Sequence, residues 1–170
     1  MSIRTLLVLL ASSSMLACAA PAAEGEVDPA TTDQAESAIF LTKPDLVMGS
    51  GGNLEADGSV IGLFTKNGGR YSIPCNAKWV KVGYQYSNGG AITAAAHTNT
   101  GTLGASTFAA SQASLLPGAI RNGSFTFSTV NVPEGVGTLI TIRLDDPAVI
   151  SEMKEDNNVF KIWIEKTCIQ

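Results

Sequence analysis

A chain of 170 residues with 11 basic and 15 acidic side chains is mildly acidic, which excludes the electrostatic footprint of a nucleic-acid binder. It is long enough for one domain with a real core. Seventeen glycines and few long helical periodicities point to an all-β fold, while one histidine and three cysteines leave little material for a zinc site.

Residues 1–18 read as an export signal, with Arg4 in the charged end and Leu6 to Leu10 as an apolar core too short to span a bilayer. Two cleavages compete. Ala17-Cys18-Ala19 fits the small-x-small pattern of an ordinary signal peptidase. Met15-Leu16-Ala17-Cys18 resembles a bacterial lipobox, with departures at Met15 and Leu16, and makes Cys18 a candidate lipid-attachment site. Once Cys18 is lost or lipidated, an even pair remains, Cys75 and Cys168, in a compartment where disulfides persist. Residues 19–44 begin rich in Ala, Pro and acid, so a disordered tether is expected there. Within it, the apolar run Ala38 to Leu41 is a candidate edge piece that packs on the domain.

The domain itself is expected from residue 45. Asp45 to Met48 reads as a first strand ended by Gly49 to Asn53, and Ser59 to Thr65 as a second. Asn67-Gly68-Gly69 supplies turn chemistry before Tyr71 to Pro74. Ala77 to Tyr86 is the clearest early strand, with Val80, Val82, Tyr84 and Tyr86 on the inward parity and Trp79, Lys81 and Gln85 opposite. After the turn Ser87-Asn88-Gly89-Gly90, a strand is expected over Ile92 to Thr98. Thr102 to Ala113 reads as a weak strand or loop, and Ser124 to Val132 as a strand with a bulge near Thr129. The last two strands alternate plainly: Ile140, Ile142 and Leu144 in one, Phe160, Ile162 and Ile164 in the other. Between them Asp146 to Asn158 forms a connection too long for a tight turn. Strands at short intervals without helices give an antiparallel β-sandwich of about seven strands.

This order resembles the CARDB family (cell adhesion related domain found in bacteria), an immunoglobulin- or fibronectin-type sandwich. The likeness is strongest at Leu144 to Val159, where Asp145, Asp146, Ile150, Glu152, Glu155, Asn157 and Asn158 follow the family's aspartate-rich bend and Glu-x-x-Asn-Asn step. Ser87-Asn88-Gly89-Gly90 matches the end of its second strand. The resemblance covers residues 45–166 and departs at a Gly-rich insert, Gly49 to Asn76, and at the two cysteines. It implies an extracellular accessory or interaction module. In an immunoglobulin-like sandwich the second strand starts where the last one finishes, so Cys75 and Cys168 are expected to meet and form a disulfide.

Three chemistries compete for the remaining residues. Catalysis has to run through His97, which stands without a nucleophile elbow or a local acid and reads as a solvated histidine on a sheet surface. Calcium, the one candidate cofactor, has Asp145, Asp146, Glu152, Glu155, Asp156, Asn157 and Asn158 in one loop. That loop lacks the Asp-x-Asp-x-Asp-Gly spacing, and such side chains also hold a wide arch by bonding its own amides, the favoured reading. Trp79 and Trp163 oppose the core parity and offer surfaces for a glycan or a protein. They share no platform if their strands lie in different sheets, and cover by the tether or the insert is favoured. The sequence therefore reads as a non-catalytic interaction or adhesion module, secreted or lipid-tethered at the cell envelope. A glycan-binding module is the alternative.

Overall fold

The computed structural model describes residues 42–64 and 68–168. The expected export signal with Cys18, the expected tether up to residue 41 with its apolar run, Thr65 of the expected second strand and Asn67 of the expected turn lie outside the described residues.

Nine strands form among the described residues: β1 Leu46–Ala56, β2 Ser59–Phe64, β3 Arg70–Pro74, β4 Trp79–Asn88, β5 His97–Leu103, β6 Ser106–Gln112, β7 Ile120–Ser128, β8 Thr138–Arg143 and β9 Val159–Thr167. A four-stranded sheet, β2-β1-β4-β7, packs against a five-stranded sheet, β3-β9-β8-β5-β6. All neighbours run antiparallel except β3 and β9. The alternating runs set this arrangement, because side chains of one parity share a face. Val80, Val82, Tyr84 and Tyr86 are buried, as are Ile140, Ile142 and Leu144, and Phe160, Ile162 and Ile164. Each such apolar side chain contributes about 1.5–3 kcal/mol through burial.

The Gly-rich insert forms two strands of its own, one of them expected over Ser59 to Thr65. It supplies β2 and β3, which extend opposite sheets and are tied together through the core. Phe64 of β2 stacks on Phe160 of β9 with ring centroids 4.6 Å apart. The β1–β2 turn is Asp57-Gly58, with φ of 46° and 86°, the Asp-Gly pair suited to a two-residue hairpin.

Several strand limits differ from expectation. Gly49 to Asn53 does not end the first strand. β1 continues through it with a register break between Met48 and Gly52, because a bulge absorbs the glycines without ending the ladder. The expected strand over Ile92 to Thr98 starts only at His97, the preceding chain being a loop pinned by the Ala94–Leu115 bridge. A turn at Gly104, φ 57°, divides residues 102–113 into the end of β5 and the whole of β6. No bulge forms at Thr129. β7 ends at Ser128, and Thr129 turns the chain by donating its N–H to Lys78 and accepting from Val132 N.

Candidate functional site

The acidic connection between β8 and β9 is a two-sided staple. Its base closes where Leu144 N donates to the Asn158 carbonyl at 2.9 Å. Asp145 takes a positive φ of 50°, a conformation that Asp tolerates, and is buried. Its Oδ2 accepts from Val149 N and Ile150 N at 3.0 and 2.7 Å, shaping the first bend. Two further contacts fix that bend to β5: Asp146 N donates to the Thr98 carbonyl at 2.8 Å, and Thr100 Oγ1 donates to Asp146 Oδ2 at 2.6 Å.

The second half of the arch grips the start of β1. Glu152 Oε2 accepts from Leu46 N at 2.6 Å, and Asn157 Nδ2 donates to Asp45 Oδ1 at 2.9 Å. Met153 N donates to the Pro44 carbonyl, and Met48 N to the Asn157 carbonyl. Lys43 and Pro44, assigned to the tether from sequence, are thus part of the folded unit: Pro44 is buried, and Lys43 Nζ donates to Ser151 Oγ at 2.9 Å. From the other side the turn after β4 holds the same segment. Asn88 Oδ1 accepts from Asp45 N, Gly89 N donates to the Asp45 carbonyl, and a Cβ on Gly90 would collide with Lys43 and Pro44. Since β1 and β4 belong to one sheet and the arch to the other, residues 43–48 are clamped between both layers.

Electrostatics single out Glu152. Burial pushes its carboxyl up to about 7, against the opposing pull of the Leu46 N–H and the Asn158 amide and with help from the nearby charges of Glu155 and Asp145. A carboxyl with a raised folded value binds its proton more tightly when folded. Its contribution to stability is therefore complete below its ordinary 4.5 and is lost as pH rises through about 7. The expected result is a melting temperature that falls across this window in the wild type and falls less in Glu152→Gln. Equal slopes in parallel thermal melts would contradict it.

The oxygens that make the arch a calcium candidate divide into bonded and unbonded ones. Calcium needs six to eight oxygens converging on one point. Asp145 Oδ2, Asp146 Oδ2, Glu155 Oε1 and both Glu152 oxygens already accept protein donors. Asp145 Oδ1 and Asn157 Oδ1 are buried without a hydrogen bond. Among the described residues, the one group of three His, Cys, Asp or Glu ligand atoms within 4.8 Å is Cys75, Glu134 and Cys168, away from the arch and with both sulfurs joined as a disulfide. Glu155 and Asp156 are exposed.

Cys75 and Cys168 are bonded as expected, with Cα atoms 4.7 Å apart, but by a different route. Cys75 follows β3 rather than introducing β4, and the parallel β3–β9 register ends at Pro74 opposite Thr167, one step before the two cysteines. Trp79 lies on β4 and Trp163 on β9, in different sheets, so their outward faces point away from one another. Trp163 is 38% exposed and sits beside Arg70 of the insert, its partner in the β3–β9 ladder. His97 is not solvated. It is buried, with Nδ1 2.9 Å from the Ala95 carbonyl and Nε2 3.4 Å from Tyr86 Oη, because it opens β5 on the inward parity. Beside it, buried Asn99 donates to Tyr84 Oη and accepts from Asp145 N. Burial raises the Tyr84 hydroxyl above its ordinary value, partly offset by the Asn99 bond.

Sequence reasoning passed over two side chains that organise this region. Asn88 was legible only as a turn residue, though an Asn directly before Gly-Gly is a signal for side-chain bonding to a close backbone. Asp57 was unmarked; its carboxylate accepts from Lys78 N and Trp79 N, fixing the start of β4 to the β1–β2 turn.

Two layers in this order, joined by an arch that grips the first strand, define an immunoglobulin-like sandwich with the fold of a CARDB domain. It is similar to the CARDB domain of the PF1109 protein from Pyrococcus furiosus, crystallised in complex with di-metal ions, at TM-score 0.51 and 16% identity over 74% of this chain and 90% of that one. A solution structure of the same domain gives TM-score 0.47 and 16% identity, covering 73% and 97%. A domain of a candidate cell surface protein from Methanosarcina acetivorans gives 0.49 and 15%, covering 76% and 96%. No family model and no curated protein matches the chain.

Proposed function

We propose that this chain is an exported, non-catalytic interaction module mounted at the cell envelope through its N-terminal end. The clamp on residues 43–48 carries this reading. Segments entering a domain ordinarily fray, yet here the entering backbone is bonded to both sheets, as a mounting point under load requires. The signal-like residues 1–18, with Cys18 as the lipid-attachment site, supply the other end of the mount. Lipid chains contribute about 0.8 kcal/mol per buried methylene, so two or more anchor firmly. Adhesion then falls to the outer faces of the sandwich, with a protein or glycan of the envelope as partner.

Burial of His97 between Tyr86 and Ala95 favours a non-enzyme, since the one candidate base is bonded inside the core. The glycan reading is weaker, because the two tryptophans share no platform. A metal-dependent module, the version that the PF1109 complex suggests, is the weaker reading, because Asp145 Oδ2, Asp146 Oδ2, Glu155 Oε1 and both Glu152 oxygens already accept from N–H and O–H groups, which leaves Asp145 Oδ1 and Asn157 Oδ1 as the buried unbonded oxygens. Intact-mass analysis of the N-terminus from membrane fractions tests the mount: an acylated Cys18 is expected, and an unmodified terminus at Ala20 overturns it. A melting temperature that rises saturably with calcium, and no longer does so in Asp145→Ala, would reinstate the metal. Glycan-array binding lost in Trp79→Ala or Trp163→Ala would reinstate the sugar.

A further inference from the structure

Among the described residues four strands stand at the edges of the two sheets, and three of them carry the features that keep edges from pairing. β2 is interrupted by a bulge at Ile61, since Leu54 pairs with Gly62 and Glu55 with Val60. β3 is five residues long, begins with Arg70 and ends with Pro74. β7 carries Arg121, whose guanidinium donates to the Ala113 and Ser114 carbonyls and ties the preceding loop over its start. β6 has none of these. Its seven residues, Ser-Thr-Phe-Ala-Ala-Ser-Gln, contain no charge and no proline, and they pair with β5 in unbroken register from Leu103–Ser106 to His97–Gln112. Beyond the ladder with β5, the one side-chain contact with its backbone among the described residues is weak, from Gln112 Nε2 to the Ala110 carbonyl at 3.5 Å.

We infer that β6 is an interaction edge, and that its partner is β6 of a second copy of this chain. Pairing this antiparallel edge with itself about a two-fold axis at Ala109, the middle of β6, sets Thr107 opposite Ser111 and Phe108 opposite Ala110 of the second copy, so a charge at or beside the axis would face its like charge. No Asp, Glu, Lys or Arg occurs between Lys81 and Arg121, a stretch that contains β5, β6 and the loops beside them, although the chain as a whole is acidic. Thr107, Ala109 and Ser111 form the outer side of the strand and are small enough to let a second backbone approach.

The inner side supplies the apolar contact. Phe108 shares its parity with Ala110, which packs on the core, yet is 44% exposed where the sandwich opens between β6 and β7. It meets Phe127 edge-on at 5.6 Å. Residues directly opposite in an antiparallel pair lie on the same face, so the partner's inward side chains cover this ring while its backbone satisfies the open N–H and C=O groups. The product is one continuous sheet with five strands from each copy. This inference is independent of whether the chain is membrane-mounted.

Sedimentation of the purified chain over a concentration series tests it, combined with hydrogen exchange. The wild type is expected to dimerise reversibly, with amides of residues 106–112 gaining protection as concentration rises. Ala109→Lys, on the outer side and away from the core, should raise the dissociation constant at least about tenfold without changing the far-UV spectrum. Ala109→Ser should leave it unchanged and guards against a folding defect. A chain that stays monomeric throughout overturns the inference. So does a dimer that Ala109→Lys leaves intact, or one that protects amides other than those of β6.

Discussion

Replacing Cys75 and Cys168 together by serine is expected to lower the unfolding free energy on the order of 4–5 kcal/mol, because the bond closes a sequence separation of 93 residues. The register makes this a favourable place for a cross-link. β3 and β9 run parallel with Pro74 opposite Thr167, so the ladder brings the next residue of each strand together before any bond forms. β3 is also an edge strand with β9 as its sheet neighbour, and Cys168 lies directly after the last strand. Without the bond both ends open to solvent at once. Urea unfolding of the double-serine variant beside the wild type, with and without a phosphine reductant, measures the effect. The reductant should bring the wild type to the variant and leave the variant unmoved. A midpoint shift equivalent to less than about 1 kcal/mol would mean that the β3–β9 ladder already restrains the denatured chain, and that the entropy of a long open loop is not what the bond removes.

What the sequence made legible follows from the range of each interaction. Burial of Val80, Val82, Tyr84 and Tyr86, and of Ile140 with Ile142, needed only the period of a strand, which is local. The same reasoning misplaced His97. Its polarity said surface, while its parity on β5 points inward, toward Tyr86, 11 residues back on a strand of the facing sheet. Gly49 to Asn53 misled in a related way. Glycines end a strand by local preference, yet flanking pairings with β4 on both sides of the break carry the ladder through. The arch was visible as an unusually long, acid-rich connection. That its carboxylates serve the amides of β1 was not visible, because Leu46 and Glu152 are brought together only once two sheets have packed. Disulfide pairing was inferred from the even count of cysteines and from the shared end of the second and last strands in an immunoglobulin-like sandwich; that β3, a strand of the insert, delivers Cys75 was beyond reach.

Among single substitutions, those at Asn88 are expected to cost most. The side chain is fully buried and has all four of its hydrogen-bonding positions filled. Oδ1 accepts from Asp45 N at 3.1 Å and Gly90 N at 3.0 Å, while Nδ2 donates to the Ile92 carbonyl at 2.7 Å and the Leu115 carbonyl at 3.0 Å. Its backbone adds bonds to Ala119 and Gly118, so one residue joins the entry of β1, the loop before β5 and the loop before β7. Asn88→Ala leaves two N–H groups and the Ile92 carbonyl without this partner, each worth about 1–3 kcal/mol if it stays buried and dry, while the Leu115 carbonyl keeps its bond from Ala94 N. Water admitted to the gap recovers part of that, which places the expected loss at about 4–5 kcal/mol. Asn157→Ala, which removes a side-chain bond to Asp45 and leaves the Asn157 carbonyl bonded to Met48 N, is expected to cost about 1–3 kcal/mol. The decisive comparison is Asn88→Asp. It keeps the acceptor for Asp45 N and Gly90 N, but turns a second oxygen toward two carbonyls and puts a charge near buried Asp45. At neutral pH it should therefore destabilise at least as much as alanine, and acidification should recover part of the loss, because a protonated carboxyl can donate to one of those carbonyls. Urea melts of both variants at neutral and mildly acidic pH read this out. An Asn88→Asp protein as stable as the wild type at neutral pH would show that the two carbonyls do not depend on the amide, and that the turn is held by its backbone alone.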